Sequence, residues 1–288
     1  MPAAARPLAA ASWMIGAIAS FTAMAVAARQ IAGVHDTFEI LAFRSLVGFC
    51  IVLGVGAAFG RLGDIRTDRL PSHLLRNIFH FTGQSLWFWA ITMIPLAQVF
   101  ALEFTSPIWV ILLSPLVLGE TLTARKLLAA ACGFVGVLIV ARPDFGHVEP
   151  GVLAALTAAF FFASTTLLTK ALTLGEAILS ILFWLTLMQF VFGTVAMLAD
   201  GAVTLPTRAT LPWLCLIGVA GVSAHLSLTS ALSLAPASQV VPIDFARLPV
   251  IAAIGALVYN EAVPPTLFLG AALIFLGIWI VLSRRHVA

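Results

Sequence analysis

The residues of this chain best placed to do chemistry are ionisable side chains that fall inside long apolar stretches. Arg44, Glu103, Asp244 and Arg247 do so, and their formal charges cancel. A charged group near the middle of a lipid-crossing helix costs at least about 2.5–3.5 kcal/mol, so such groups face a protein interior or a wet cavity and find partners there. His80 and Gln84 stand one helical turn apart in an earlier stretch, and Trp87 continues their face. His225, with Thr229 beside it, occupies a later one. Charged, hydrogen-bonding and aromatic side chains gathered in an otherwise apolar chain suit the binding and release of a small polar solute.

Several of these residues have a second, structural reading. Asp244 and Arg247 are three apart and pair within one helix on that reading. Arg44 lies about 8 Å along a helix from Glu39 and can snorkel to the outer interface. Glu39 closes an Asp36-x-x-Glu39 capping box at a helix start. His80 and Gln84 can hydrogen-bond between helices, and Trp87 either packs or walls a cavity. Phe160–Phe162 with Thr165 form a similar aromatic candidate. Glu103 has no local partner, which favours a functional role.

Glu103, Ser106, Pro107, Val110 and Ser114 are expected on one helical stripe, and Asp244, Arg247, Ile251 and Gly255 on another. Pro107, Pro115, Pro242 and Pro249 should kink these helices and free carbonyls toward a cavity. Pro107, Pro242 and Pro249 are thus candidate bending points. Glu120 and Glu261 close their apolar stretches and are read as structural or gating residues.

The elements that must position these groups repeat. Asp244 follows Glu103 by 141 positions, and the same shift lays Arg29 on Lys170, Pro95 on Pro236, Glu120 on Glu261 and Gly136 on Gly277. So long a period is duplication of half a protein rather than a solenoid. The chain is 61% hydrophobic and 9% charged, with a mean hydropathy of +1.10. Soluble domains carry about 25% charged residues. Apolar runs of bilayer-crossing length predict ten spans, at 8–28, 38–59, 74–94, 96–118, 125–141, 150–171, 177–198, 210–233, 238–258 and 265–283. The expected fold is therefore all-α and integral to a membrane, with five spans per copy. An odd number of spans per copy turns the second copy upside down relative to the first, the architecture of secondary carriers.

Charge then orients the chain. With both termini cytoplasmic, the arginines of the 61–76 loop, Arg125, Lys126 and the terminal arginines face inward, while Arg29, Arg142 and Arg208 face outward. Span one looks like a signal sequence around Ala25-Val26-Ala27, but it is the copy of span six and should be retained. Cys50, Cys132 and Cys215 lie within spans without metal-ligand spacing and are read as small packing residues. Ala129, Gly133 and Gly136 in span five, with Gly270 and Gly277 in span ten, permit close helix contact, within the chain or in a dimer.

No Walker loop, HExxH or CxxC is present, so neither an enzyme nor a cofactor or metal site is expected. The strings AlaLeuGluPheThrSerProIle at 101–108, LeuGlyGluThrLeu at 118–122, ProIleAspPheAlaArgLeuPro at 242–249 and TyrAsnGluAlaVal at 259–263 resemble the drug/metabolite transporter superfamily. Within it, the chain is similar to the branch with two EamA-type repeats, here 8–142 and 150–285. Glu120, Glu261, Arg44 and the glycines near 133–136 match that pattern, although Leu185 stands where the second copy would repeat Arg44.

The resemblance implies a multi-pass carrier of the bacterial inner membrane, a monomer or weak homodimer. Its central cavity would work by alternating access, with a small organic molecule and lipid as partners and no nucleic acid. Amino-acid export is the first expectation, because acidic, basic and aromatic groups together suit a zwitterion with an apolar side chain. A vitamin-, nucleoside- or cation-like solute, import rather than export, and proton coupling against facilitated movement remain open. The substrate-binding set on this reading is Arg44, His80, Gln84, Trp87, Glu103, Ser106, His225, Thr229, Asp244 and Arg247.

Overall fold

A computed structural model describes residues 6–119, 123–141, 149–201, 203–235, 237–260, 262 and 264–282. The first half holds α1 (Pro7–Ile31), α2 (Thr37–Ala58), α3 (Leu70–Met93), α4 (Leu96–Glu103), α5 (Ser106–Leu118) and α6 (Ala124–Ala141). The second holds α7 (Pro150–Leu172), α8 (Ile178–Asp200), α9 (Leu211–Leu234), α10 (Ala237–Val240), a 3-10 segment (Val241–Ala246), α11 (Arg247–Tyr259) and α12 (Pro265–Leu282). No sheet occurs among the described residues; one isolated bridge joins Ala32 and His35.

Six stretches are long and apolar enough to cross a membrane by length and composition: Leu8–Ile31, Thr37–Ala58, Gln98–Leu118, Pro150–Leu172, Ile178–Ala199 and Leu211–Leu234. The chain is thus an all-α, multi-pass membrane protein. The other expected spans also form helical segments. The third, α3, carries a buried polar face with His73, Arg76, Asn77, His80 and Gln84. The ninth is divided by the 3-10 segment, and α6 and α12 are helices of 18 residues each.

Duplication in sequence becomes pairing in space. The 141-residue shift carries α1 onto α7 and α3 onto α9. In the fold α1 packs along α9, and α7 packs along α3. Two further interfaces join an element to its own copy, α2 with α8 and α6 with α12. The small-residue stripe expected on span five is thus used within the chain: Gly136, Gly270 and Gly277 are buried, and a side chain at Gly133 would meet Ile108. At the α2–α8 crossing a Cβ on Gly193 would stand 2.9 Å from the Ala42 backbone nitrogen, so glycine there sets how close the helices come.

Helix ends are held by the residues the sequence singles out. Asp36 accepts from the Phe38 and Glu39 amides at 2.6 and 2.9 Å, and the Asp36 amide donates back to Glu39 at 3.1 Å, completing the capping box. Glu39 also takes a hydrogen bond from the Thr204 amide and contacts His35 Nδ1 at 3.1 Å, tying a second-half loop to the start of α2.

The matched cations Arg29 and Lys170 do matched work. Arg29 donates to the Ile91 and Ile94 carbonyls at the end of α3. Lys170 donates to the Leu232 and Ala235 carbonyls at the end of α9, at 2.8 and 3.2 Å. Ile91 and Ile94 fall on Leu232 and Ala235 under the same shift. A cation is favourable where a helix leaves carbonyls without partners. The cysteines sit on helix surfaces: Cys50 and Cys215 are exposed, Cys132 is half-buried and all three are free, so they pack less than expected.

Candidate functional site

The fourth and ninth expected spans do not run through as kinked helices. The first breaks at Phe104–Thr105 between α4 and α5, and the second gives way to the 3-10 segment before α11. Pro107 lies in the opening turn of α5, where its missing N–H removes no helical bond. Pro242 falls in the 3-10 segment and Pro249 in the first turn of α11, while Pro115 stays inside α5. The expected stripes Glu103–Ser114 and Asp244–Gly255 are therefore each divided. Glu103 ends α4 and Asp244 lies within the 3-10 segment, while the remaining members of each stripe belong to the helix that follows.

Glu103 and Asp244 meet at these two breaks through Arg247. The Arg247 guanidinium donates to Glu103 Oε1 at 2.9 Å and to Asp244 Oδ2 at 2.5 Å. It lies against the rings of Phe100, Phe21 and Phe104, with centroids at 4.7, 5.0 and 5.7 Å. Trp87 donates from Nε1 to Glu103 Oε2 at 2.7 Å. The local Asp244–Arg247 pair is thus present, and Glu103, without a partner in its own stretch, finds two across the fold. Asp244 Oδ1 and Arg247 Nε are buried without hydrogen bonds among the described residues.

This triad forms one wall of a cavity of about 110 Å³ whose lining comes from both halves. His80, Gln84 and Trp87 contribute from α3, Ser106 from α5, and His225 and Thr229 from α9. The Ser106 hydroxyl donates to the Ala159 carbonyl at 3.0 Å. The His80 and His225 rings meet edge-on with centroids 4.7 Å apart, and neither His80 nitrogen has a hydrogen-bond partner among the described residues. Phe21, Phe88 and Phe162 add aromatic walls, and Thr165, Thr166 and Thr169 line the α7 side.

Arg44 is placed differently from the rest of the expected set. It is buried rather than snorkelling, does not line the cavity, and donates to Gln84 Oε1 from behind. Gln84 passes the chain on to Gln189 Oε1 at 3.0 Å, and Gln189 donates to the Asn77 carbonyl at 2.8 Å. Glu120 and Glu261 lie outside the described residues.

Sequence reasoning missed Arg76. Counted there among the loop arginines, it is a cavity-lining residue 2% exposed inside α3. The signal was present, since Arg76, His80, Gln84 and Trp87 recur at helical spacing on one face. Asn77, Gln189 and Thr169 had no such signal, because the bonds that join them to the site, of Gln189 to Asn77 and of Arg76 to Thr169, run between helices.

The model of the EamA-like transporter family matches residues 8–142 and again 149–283. A riboflavin transporter of Vibrio cholerae is 31% identical over 279 residues, covering 94% of this chain and 92% of that protein. A riboflavin transporter of Rhizobium johnstonii is 34% identical over 214 residues, covering 74% and 70%. An S-adenosylmethionine uptake transporter of Rickettsia bellii is 24% identical over 262 residues, covering 91% and 89%. One crystal structure shares the fold with a TM-score of 0.74 at 17% identity, covering 97% of this chain and 99% of that one.

Proposed function

This chain belongs to the EamA-like transporter family, and on that premise we propose that it takes up a planar heteroaromatic metabolite, a flavin first of all, through the central cavity. The observation that carries the reading is the state of the charges. Glu103, Asp244 and Arg247 are bonded to one another, and Arg44 is engaged by Gln84 outside the cavity. The ammonium of a zwitterionic amino acid needs a free carboxylate, and the two carboxylates of the cavity, Glu103 and Asp244, are both committed to Arg247. What the cavity presents instead is aromatic surface from Phe21, Trp87, Phe88 and Phe162, the two imidazoles, and the hydroxyls of Thr165, Thr166 and Thr229. Ring faces stack on aromatic side chains, while ring nitrogens, carbonyls and a polyol tail take hydrogen bonds. The relatives named for riboflavin and S-adenosylmethionine, both heteroaromatic molecules, point the same way.

The binding residues are His80, Gln84, Trp87, Ser106, His225 and Thr229, with Glu103, Asp244 and Arg247 holding the two helix breaks together. The chain crosses the bacterial inner membrane ten times as two inverted five-helix repeats, near 8–142 and 150–285, with both termini cytoplasmic. Alternating access exchanges the roles of the halves, and the breaks at Phe104–Thr105 and Val241–Ala246 are where the helices bend.

Titration of riboflavin against purified protein, read by quenching of flavin fluorescence, tests the reading. Saturable quenching that is lost in Trp87→Ala supports it. Absence of flavin binding alongside saturable binding of neutral amino acids would return the site to amino-acid transport.

A further inference from the structure

Two buried guanidinium groups have only neutral hydrogen-bond partners among the described residues. Arg76, 2% exposed, donates from Nε to Thr169 Oγ1 at 3.1 Å and from Nη1 to Asn77 Oδ1 at 3.2 Å. Arg44, 7% exposed, donates to Gln84. The acidic side chain on the neighbouring turn, Glu176, is already engaged by Ser180 at 2.8 Å and by His73 at 3.6 Å. Arg247 is the contrast: the same kind of group in the same cavity, with two carboxylates on it.

A buried charge is retained when something compensates it, and an arginine fork is shaped for an oxyanion. The architecture does not require charge at these places, since the repeat sets Ile217 opposite Arg76 and Leu185 opposite Arg44. Arg76 also lines the cavity, so an anion in the cavity can reach it.

We propose that Arg76 is an anion subsite of the central cavity, taking a carboxylate or phosphate oxyanion on the α3–α7 side. Thr169 and Asn77 pre-orient the guanidinium, and Arg44 adds positive potential from behind Gln84. The oxyanion is either carried by the solute itself, as in a phosphorylated flavin, or bound as a free ion beside a neutral ring. The first source deepens the flavin reading and rests on it; the second does not.

The test uses the purified full chain and the Arg76→Gln variant. In one arm, riboflavin and riboflavin 5′-phosphate are titrated by fluorescence. In the other, inorganic phosphate replaces chloride at constant ionic strength while thermal unfolding is followed. A solute-borne anion gives the phosphorylated flavin an affinity advantage of about tenfold over riboflavin in the wild type, which falls to about one in Arg76→Gln. A free anion instead raises the unfolding midpoint of the wild type with phosphate and leaves that of Arg76→Gln unmoved. Should Arg76→Gln fail to fold, Arg76→Lys replaces it. That variant keeps the charge but loses the fork, and reduces either effect by about half on a logarithmic scale. If neither phosphate nor the phosphorylated flavin distinguishes wild type from variant, the subsite does not exist. Failure of both flavins to bind sinks the flavin reading alone, because the phosphate arm still decides whether Arg76 holds an anion.

Discussion

The helices α3 and α9 descend from the same ancestral segment and have diverged into opposite roles. On α3 the inward face carries His73, Arg76, Asn77, His80, Gln84 and Trp87. The equivalent positions on α9 are Leu214, Ile217, Gly218, Gly221, His225 and Leu228. At these six positions α3 presents polar groups and Trp87, whereas α9 keeps only His225 and is otherwise aliphatic or small. Gly221 illustrates the exchange. It occupies the position of His80, and a Cβ there would lie 2.8 Å from the Arg44 guanidinium, so the space one copy fills with an imidazole the other yields to an arginine.

By contrast, the pairs that survive in both copies hold the fold together. Arg29 and Lys170 close the ends of these same two helices, and Glu103 and Asp244 share Arg247. The repeated pairs join helices to one another, and the departures from repetition fall at residues that line the cavity or stand behind it.

The largest effect expected from breaking the shared set comes at Arg247. Arg247→Ala leaves two carboxylates buried without a counter-ion and should cost about 3–5 kcal/mol, read as a lowered thermal midpoint in detergent. The triple change Arg247→Met, Glu103→Gln, Asp244→Asn should recover most of that loss; if it does not, the triad contributes more than charge balance.

Next in size is Gly193→Ala, which sets a methyl against the α2 backbone and should cost about 1–3 kcal/mol. Lys170→Met and Arg29→Met should each cost about 1 kcal/mol and by similar amounts, since each removes the cation at a helix end. A several-fold difference between them would break the claim that the two caps are equivalent.

Smallest is the helix start that the copies do not share. Asp36→Ala should cost about 1 kcal/mol, and Ala177→Asp, at the equivalent extended position before α8, should gain a few tenths.

Much of this molecule could be read from its residues. Hydrophobic runs placed the helical segments to within a few residues, and the repeat singled out Glu103 and Asp244, which the structure places at the two breaks. The capping box was written in Asp36-x-x-Glu39. The break itself was harder to read, because proline kinks a helix from inside and also opens one, and Pro107 opens α5 where a kink was expected. Arg76 was lost to a boundary: α3 begins at Leu70 rather than at 74, which converts a loop charge into an interior one. The bonds of Arg247 to Glu103, of Gln84 to Gln189 and of Arg76 to Thr169 join residues far apart in the chain, and no local pattern encodes which helices meet.

On the proposed reading a flavin passes through a cavity whose carboxylates are already paired with Arg247. The most direct measurement is uptake of radiolabelled riboflavin by the purified protein in liposomes, with unlabelled S-adenosylmethionine and tryptophan as competitors. The account predicts saturable riboflavin flux that falls at least tenfold in Trp87→Ala and is unaffected by excess tryptophan. Saturable tryptophan flux with no riboflavin flux, in protein shown to be folded, would contradict it.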